Sequence, residues 1–237
     1  MSAQTENSFG AKLRRAQDLL TFITGFTGYN PPRAQESVAG FTTFLNTIVT
    51  TNATESQQQQ NYKAAVDQRQ AAFLKTPGSI DKMLVPIRGA VEAQYGKKST
   101  EAVAIAAIIK SMRSTSLVRP PADPNNPTQE QTVSQSERSY GSMTQHFNDI
   151  INTLTQFTGY NPTNNAIKIA GLQATATQLT TLNNNVAAKT LALKTTRANR
   201  IAIYDDLKER TQRIKAYVKA QYGNNSVEYN MIKGISI

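Results

Sequence analysis

Few residues in this chain could do chemistry, and their spacing limits what that chemistry would be. Asp205 and Glu209 stand four positions apart with Asp206 between them, a spacing that sets two carboxylates on one helical face where a cation or a proton could be shared. Lys208, Arg210 and Arg213 surround them, so these acids read as part of a solvated face neutralised by its own neighbours. His146 is the only histidine and cysteine is absent. No His–His metal pair, Glu-x-x-His motif, thiolate nucleophile, disulfide or cysteine zinc site can be written. His146 therefore reads as a helix-surface residue. Glycine-rich phosphate loops and a Gly-x-Ser-x-Gly turn are missing. We expect a non-catalytic chain with no cofactor and no metal.

The formal charge of +10 raises the alternative of a nucleic-acid partner bound through phosphates. The densest basic stretch runs from Lys189 to Lys219 and holds Lys194, Arg197, Arg200, Lys208, Arg210, Arg213 and Lys215. On one helix, at about 100° per residue, Arg197, Lys208 and Lys215 share an azimuth while Arg210 and Arg213 point nearly opposite. A groove-reading helix concentrates its cations on one side. The candidate phosphate contacts are Arg197, Lys208, Lys215 and Lys219, held as the second choice.

Two strings occur twice. Phe26-Thr27-Gly28-Tyr29-Asn30-Pro31 returns 131 positions on as Phe157-Thr158-Gly159-Tyr160-Asn161-Pro162, and Ala93-Gln94-Tyr95-Gly96 returns 127 positions on as Ala220-Gln221-Tyr222-Gly223. The order is the same, so the sequence reads as a tandem duplication: residues 1–114 as a first helical-bundle repeat, 115–138 as a Pro/Gln-rich linker and 139–237 as a second repeat. Gly28, Gly159, Gly96 and Gly223 suit the left-handed conformation that ends a helix, with Tyr29 and Tyr160 packing back as the following hydrophobes. Asn30 and Asn161 suit helix N-caps, with Pro31 and Pro162 at the first helical position. These corners, with Tyr95 and Tyr222, serve architecture; a ligand pocket lined by the four tyrosines is the alternative reading. In the linker, Arg119 and Pro121-Ala122-Asp123-Pro124 resemble an SH3 ligand, but a semi-rigid extended spacer is the simpler account.

The elements that must position these corners are helices. Phe9, Leu13, Ala16, Leu20 and Ile23 recur at helical spacing before the first corner, as Phe147, Ile150, Ile151 and Leu154 do before the second. A second helix is expected from Pro32 and from Thr163. Ala39-Gly40 and Ala170-Gly171 in it would let a neighbouring helix come close. A third helix carries Val186, Leu193, Ile201, Tyr204, Leu207, Ile214, Val218 and Tyr222; its first copy is broken by Thr76-Pro77-Gly78-Ser79. The change of offset from 131 to 127 implies four residues gained or lost between the strings, which we place at a turn over 52–60 against Asn183-Asn184-Asn185. Asn225 with Glu228 has capping-box spacing for a short last helix. The expected fold is all-α, a tandem pair of up-down four-helix bundles with one long helix per repeat.

The end of each repeat, Gln-Tyr-Gly followed by two polar residues, Ser-x-Glu and Ile-x-x-Ile, resembles a C-terminal pattern of uncharacterised bacterial helical-bundle proteins. The resemblance spans about 20 residues per copy and implies no activity. The longest apolar run, Ala102 to Ile109, is far short of the ~20 residues that cross a bilayer, and the polar opening Met1 to Ser8 lacks a secretory h-region. A cytoplasmic interaction or scaffold protein, binding a protein partner or a second copy of itself, is the leading expectation.

Overall fold

The computed structural model describes residues 8–118, 133–136 and 139–237. In chain order the helices are α1 (Phe9–Gly25), α2 (Val38–Gln70), α3 (Ile80–Tyr95), α4 (Thr100–Arg113), α5 (Tyr140–Thr155), α6 (Ile169–Tyr222) and α7 (Val227–Ile232). Apart from these and short turns, the described residues hold one two-stranded antiparallel ribbon. It pairs β1 (Thr115–Val118) with β2 (Val133–Ser136), Thr115 opposite Ser136 and Val118 opposite Val133. The all-helical expectation holds with this addition. The proline-rich centre of the expected linker, with its SH3-like spacing, lies outside the described residues.

Serine starts the helices that follow loops. Ser8 accepts the amide of Ala11, Ser99 that of Ala102, Ser139 that of Ser142 and Ser226 that of Tyr229, each satisfying one of the donors a helix N-terminus leaves open. For α7 this corrects the expected cap by one residue: Ser226 fills the role assigned to Asn225. The second helix also begins later than expected. Asn30 and Asn161 cap nothing; a 3₁₀ turn intervenes in each copy, Ala34–Glu36 and Asn165–Ile167, before α2 and α6 start. Gly40 and Gly171 belong to this arrangement rather than to a helix–helix contact. A Cβ on Gly40 would lie 2.0 Å from the Ala34 carbonyl oxygen, and one on Gly171 2.3 Å from that of Asn165.

No turn occurs at 52–60 or at Asn183-Asn184-Asn185: α2 runs for 33 residues and α6 for 54 straight through them. The four-residue difference lies elsewhere. Phe9 meets Tyr204 with tilted rings, centroids 4.6 Å apart, and Tyr140 meets Phe73 edge-on at 4.9 Å. Tyr140 follows Phe9, and Tyr204 follows Phe73, by the same 131 positions as the first repeated string. Ile80 and Leu207, both fully buried, are already 127 apart. The extra residues are therefore Thr76-Pro77-Gly78-Ser79. There α2 passes through a π-helical turn, Ala71–Lys75, and stops before α3, as the Pro-Gly pair requires. α6 lacks that insertion and runs on.

The unbroken helices explain how the chain divides. Residues 1–61 and 190–237 make one compact unit, and residues 62–189 the other. The units are thus drawn differently from the expected domains 1–114 and 139–237: each takes the first part of one repeat and the last part of the other. Neither α2 nor α6 has a turn inside it, and within each unit the first part of one repeat packs with the last part of the other. The core of the first unit comprises Ala16, Leu19 and Ile23 of α1, Phe41, Leu45 and Ile48 of α2, Tyr204, Leu207, Ile214 and Val218 of α6 and Ile232 of α7. The second core joins Phe73, α3 and α4 to Phe147, Ile150, Ile151 and Leu154 of α5 and Leu172 and Leu179 of α6. One expected core position differs: Ile201 is 56% exposed, while its neighbour Arg200 covers Phe9 at 4.5 Å from the ring centroid.

Candidate functional site

Both repeated strings lie at corners, and within each unit one string holds the other. In the first unit α1 ends, Gly28 takes a φ of 76° and the chain reverses. The Gln221 amide donates to the Gly28 carbonyl at 2.8 Å, and the Tyr222 hydroxyl donates to the Thr27 carbonyl at 3.0 Å. Phe26 meets Tyr222 edge-on at 5.9 Å. The second unit repeats the clasp with the repeats exchanged. Gln94 donates to the Gly159 carbonyl at 2.7 Å, Tyr95 to that of Thr158 at 3.0 Å, and Phe157 meets Tyr95 at 5.6 Å. Gly159 has a φ of 80°, and Gly96 and Gly223, at 95° and 99°, end the helices that bring up the clasping pair. All four glycines have positive φ, but only Gly96 and Gly223 directly follow a helix; α1 and α5 end at Gly25 and Thr155, so Gly28 and Gly159 turn the chain beyond the helix end instead of capping it.

The remaining two tyrosines close the same loops from inside. Tyr29 donates to the Glu36 carbonyl at 2.8 Å and Tyr160 to the Ile167 carbonyl at 2.9 Å, fastening each 3₁₀ turn to its corner. All four corner phenols are held neutral above their ordinary range. Burial is the main cause throughout; it pushes Tyr160 up to about 12, with Tyr95 adding to it. Tyr29 rises further, helped by Tyr217, Glu36 and Tyr222. Tyr95 and Tyr222 move the same way, aided by Glu101 and by Tyr217 with Glu228 respectively. A phenol that must donate to a carbonyl gains nothing from ionising. Asn30 is held by its backbone: its amide donates to the Tyr217 oxygen at 3.3 Å and its carbonyl accepts from the same hydroxyl at 2.5 Å. Asn161 is exposed, and Ala90 stands where the register would place Tyr217.

The arginines of the basic helix pair with acids of the same unit, Arg197 while still half exposed. Arg197 meets Glu55 at 3.3 Å and Gln59 at 2.5 Å, and Arg200 meets Glu55 at 2.8 Å. Arg210 pairs with Asp206 at 2.9 Å, donates to the Gln35 carbonyl and lies 3.9 Å from the Phe44 ring centroid. Arg213 reaches Glu209 at 2.5 Å and Glu36 at 3.4 Å. Lys215 donates to the carbonyls of Lys233 and Ile235, and burial lowers its pKa. Lys219 lies 5.8 Å from the Tyr229 ring centroid. Of the four candidate phosphate contacts, Arg197, Lys215 and Lys219 have these intramolecular partners, while Lys208 is exposed beside a cavity of about 140 Å³ lined also by Thr211 and Gln212. The acids Asp206 and Glu209 are taken by arginines one turn on, and Asp205 is exposed. His146 is half-buried, 3.6 Å from Asp149. Among the described residues no three His, Cys, Asp or Glu side chains gather as a metal site, and no helix is long and apolar enough to cross a membrane.

Sequence reasoning missed two buried carboxylates. Glu36 is 2% exposed and Glu55 7%; Glu36 has Arg33 3.5 Å away on its own turn, but nothing in the sequence signalled that arginines some 140 to 180 positions away would reach both acids. Compared with protein-family models, with curated proteins and with solved structures, the chain has no match.

Proposed function

We propose that this chain is a duplicated helical hairpin pair assembled crosswise, and that it works as a non-catalytic scaffold. The observation that carries the reading is the use of the doubled residues. In the strings kept letter for letter in both copies, Phe-Thr-Gly-Tyr-Asn-Pro and Gln-Tyr-Gly, the glutamine and tyrosine side chains donate to backbone carbonyls of the partner string or of their own loop. What was copied is a joint. Exposed helix faces remain as the extended surface offered to a partner, with Leu191, Val49, Val227 and Met231 in the first unit and Val85 and Val103 in the second all more than 45% exposed.

Against the phosphate-binding alternative stands the pairing of the α6 arginines with carboxylates. The test sets the two against each other. Immobilised full-length protein is offered a mixed-sequence oligonucleotide at two salt concentrations and, in parallel, nuclease-treated cell extract. Protein capture that persists at the higher salt, with no oligonucleotide retention, is expected. Salt-dependent retention that falls on Lys208→Glu would replace the scaffold reading with the phosphate one.

A further inference from the structure

The glutamine–tyrosine clasp is common to both units, and at the corner only the bonds of Tyr217 to Asn30, which Ala90 cannot replace, tell one repeat from the other. The units differ in their buried charge. Through the register of 131, Glu36 corresponds to Ile167, Glu55 to Val186, Arg197 to Val66 and Arg200 to Arg69; through that of 127, Arg213 corresponds to Pro86. Ile167 and Val186 are themselves 4% and 6% exposed. One unit thus buries carboxylates against arginines where the other places aliphatic side chains.

We propose that Glu36 with Arg213, and Glu55 with Arg197, form a pairing code by which residues 1–61 accept the 190–237 segment and refuse the otherwise similar 62–114 segment of a second copy. The inference rests on the crosswise assembly described above. Its physical basis is asymmetric: a buried ion pair adds little over apolar residues of similar size, whereas burying one partner alone is costly. Specificity then comes from what the wrong pairing leaves uncompensated. In a first-repeat homodimer Glu36 would face Pro86 and keep only the half-exposed Arg33 of its own segment, 3.5 Å away, and Glu55 would face Val66 with only Arg69 left to answer it. Arg69 discriminates nothing, because it stacks on Tyr140 at 4.1 Å as Arg200 does on Phe9 at 4.5 Å. A hydroxyl is lost as well. Tyr204 accepts from the Asn52 amide at 2.8 Å and donates to the Phe9 carbonyl at 2.9 Å, while its counterpart Phe73 can do neither.

The experiment uses full-length protein carrying an inserted protease site between β1 and β2, cut after folding. The nicked protein is denatured, refolded and weighed by native mass spectrometry. The expected result is a single species, first fragment with second, and no first-fragment homodimer. Glu36→Gln/Glu55→Gln, which keeps shape and removes charge, should let homodimers of the first fragment appear; Glu36→Ile/Glu55→Val/Arg197→Val should do so too, giving a second route if one variant refolds poorly. Random reassortment of the unsubstituted fragments would overturn the code and leave the crosswise fold standing. So would refolded variants that pair as selectively as the parent. Fragments that part on cutting, each folded alone, would overturn both.

Discussion

Single side chains at the corners should carry stability because each tyrosine hydroxyl donates to a backbone carbonyl of the turn. Tyr29→Phe removes the donor to the Glu36 carbonyl and should cost about 0.5–1.5 kcal/mol, read as a lower urea midpoint with unchanged far-UV circular dichroism; no loss would mean that water replaces the phenol at no cost. The pH dependence follows from the same bond. In the folded chain Tyr160 keeps its proton to about 12 against about 10 for the free phenol. Its stabilisation is therefore complete below about 10 and lost as the pH rises toward 12. The melting temperature of the parent should fall more steeply across that window than that of Tyr160→Phe, which starts lower; parallel curves would refute the assignment. Gly40→Ala tests a different kind of constraint. A methyl placed 2.0 Å from the Ala34 oxygen forces the 3₁₀ turn off the helix and should cost about 1–3 kcal/mol, although alanine is the better helix former.

Punctuation decides the elements, and the sequence is legible where punctuation is strong. Thr76-Pro77-Gly78-Ser79 removes a donor and stiffens the backbone, and α2 ends there; the apolar spacing of Phe147, Ile150, Ile151 and Leu154 likewise marks α5, whose four residues are all buried. Residues 52–60 mislead because polarity resembles a loop. They contain no Gly or Pro, and Gln and Glu are good helix formers, so a helix already packed at Phe41, Leu45 and Ile48 runs through them. Asn183-Asn184-Asn185 has poorer propensity, which tertiary packing overrides. The threonines of α2 fit this account: Thr43, Thr47, Thr50, Thr51 and Thr54 each donate to the carbonyl four residues back, which satisfies their hydroxyls without leaving the helix. Deleting residues 76–79 should join α2 to α3 in the register α6 already shows, raising the helical signal while the protein stays folded; a collapsed or aggregated product would show that the insertion is needed. For the last helix, Ser226→Ala should cost about 1 kcal/mol and Asn225→Ala much less, since the Tyr229 amide bonds Ser226.

At the scale of the whole chain, the compact units cut across the repeats, and nothing in composition or periodicity announces this. A repeated motif identifies what was duplicated and leaves open which copy packs on which. The answer depends on whether the middle helix turns back, and α2 and α6 run uninterrupted through the expected turns. The clasp was nonetheless half visible: two strings repeated intact, one ending in Gln-Tyr-Gly and the other opening on Phe-Thr-Gly-Tyr, are the two faces of one contact. The consequence for truncation is specific. Residues 62–189 contain every member of the second core, from Phe73 to Leu179, together with the Gln94, Tyr95 and Gly159 clasp. Residues 1–114 hold α1 and the start of α2 without the α6 and α7 residues that cover Ile23, Phe41 and Ile48. A fragment spanning 62–189 should therefore melt cooperatively and bind little of a dye that reports exposed apolar surface. The fragment 1–114, though it is one whole sequence repeat, should melt broadly and bind the dye strongly. The reverse result would return the fold to two bundles in tandem, each made from one repeat, because only then would Phe41 and Phe73 find their cover within the same 114 residues.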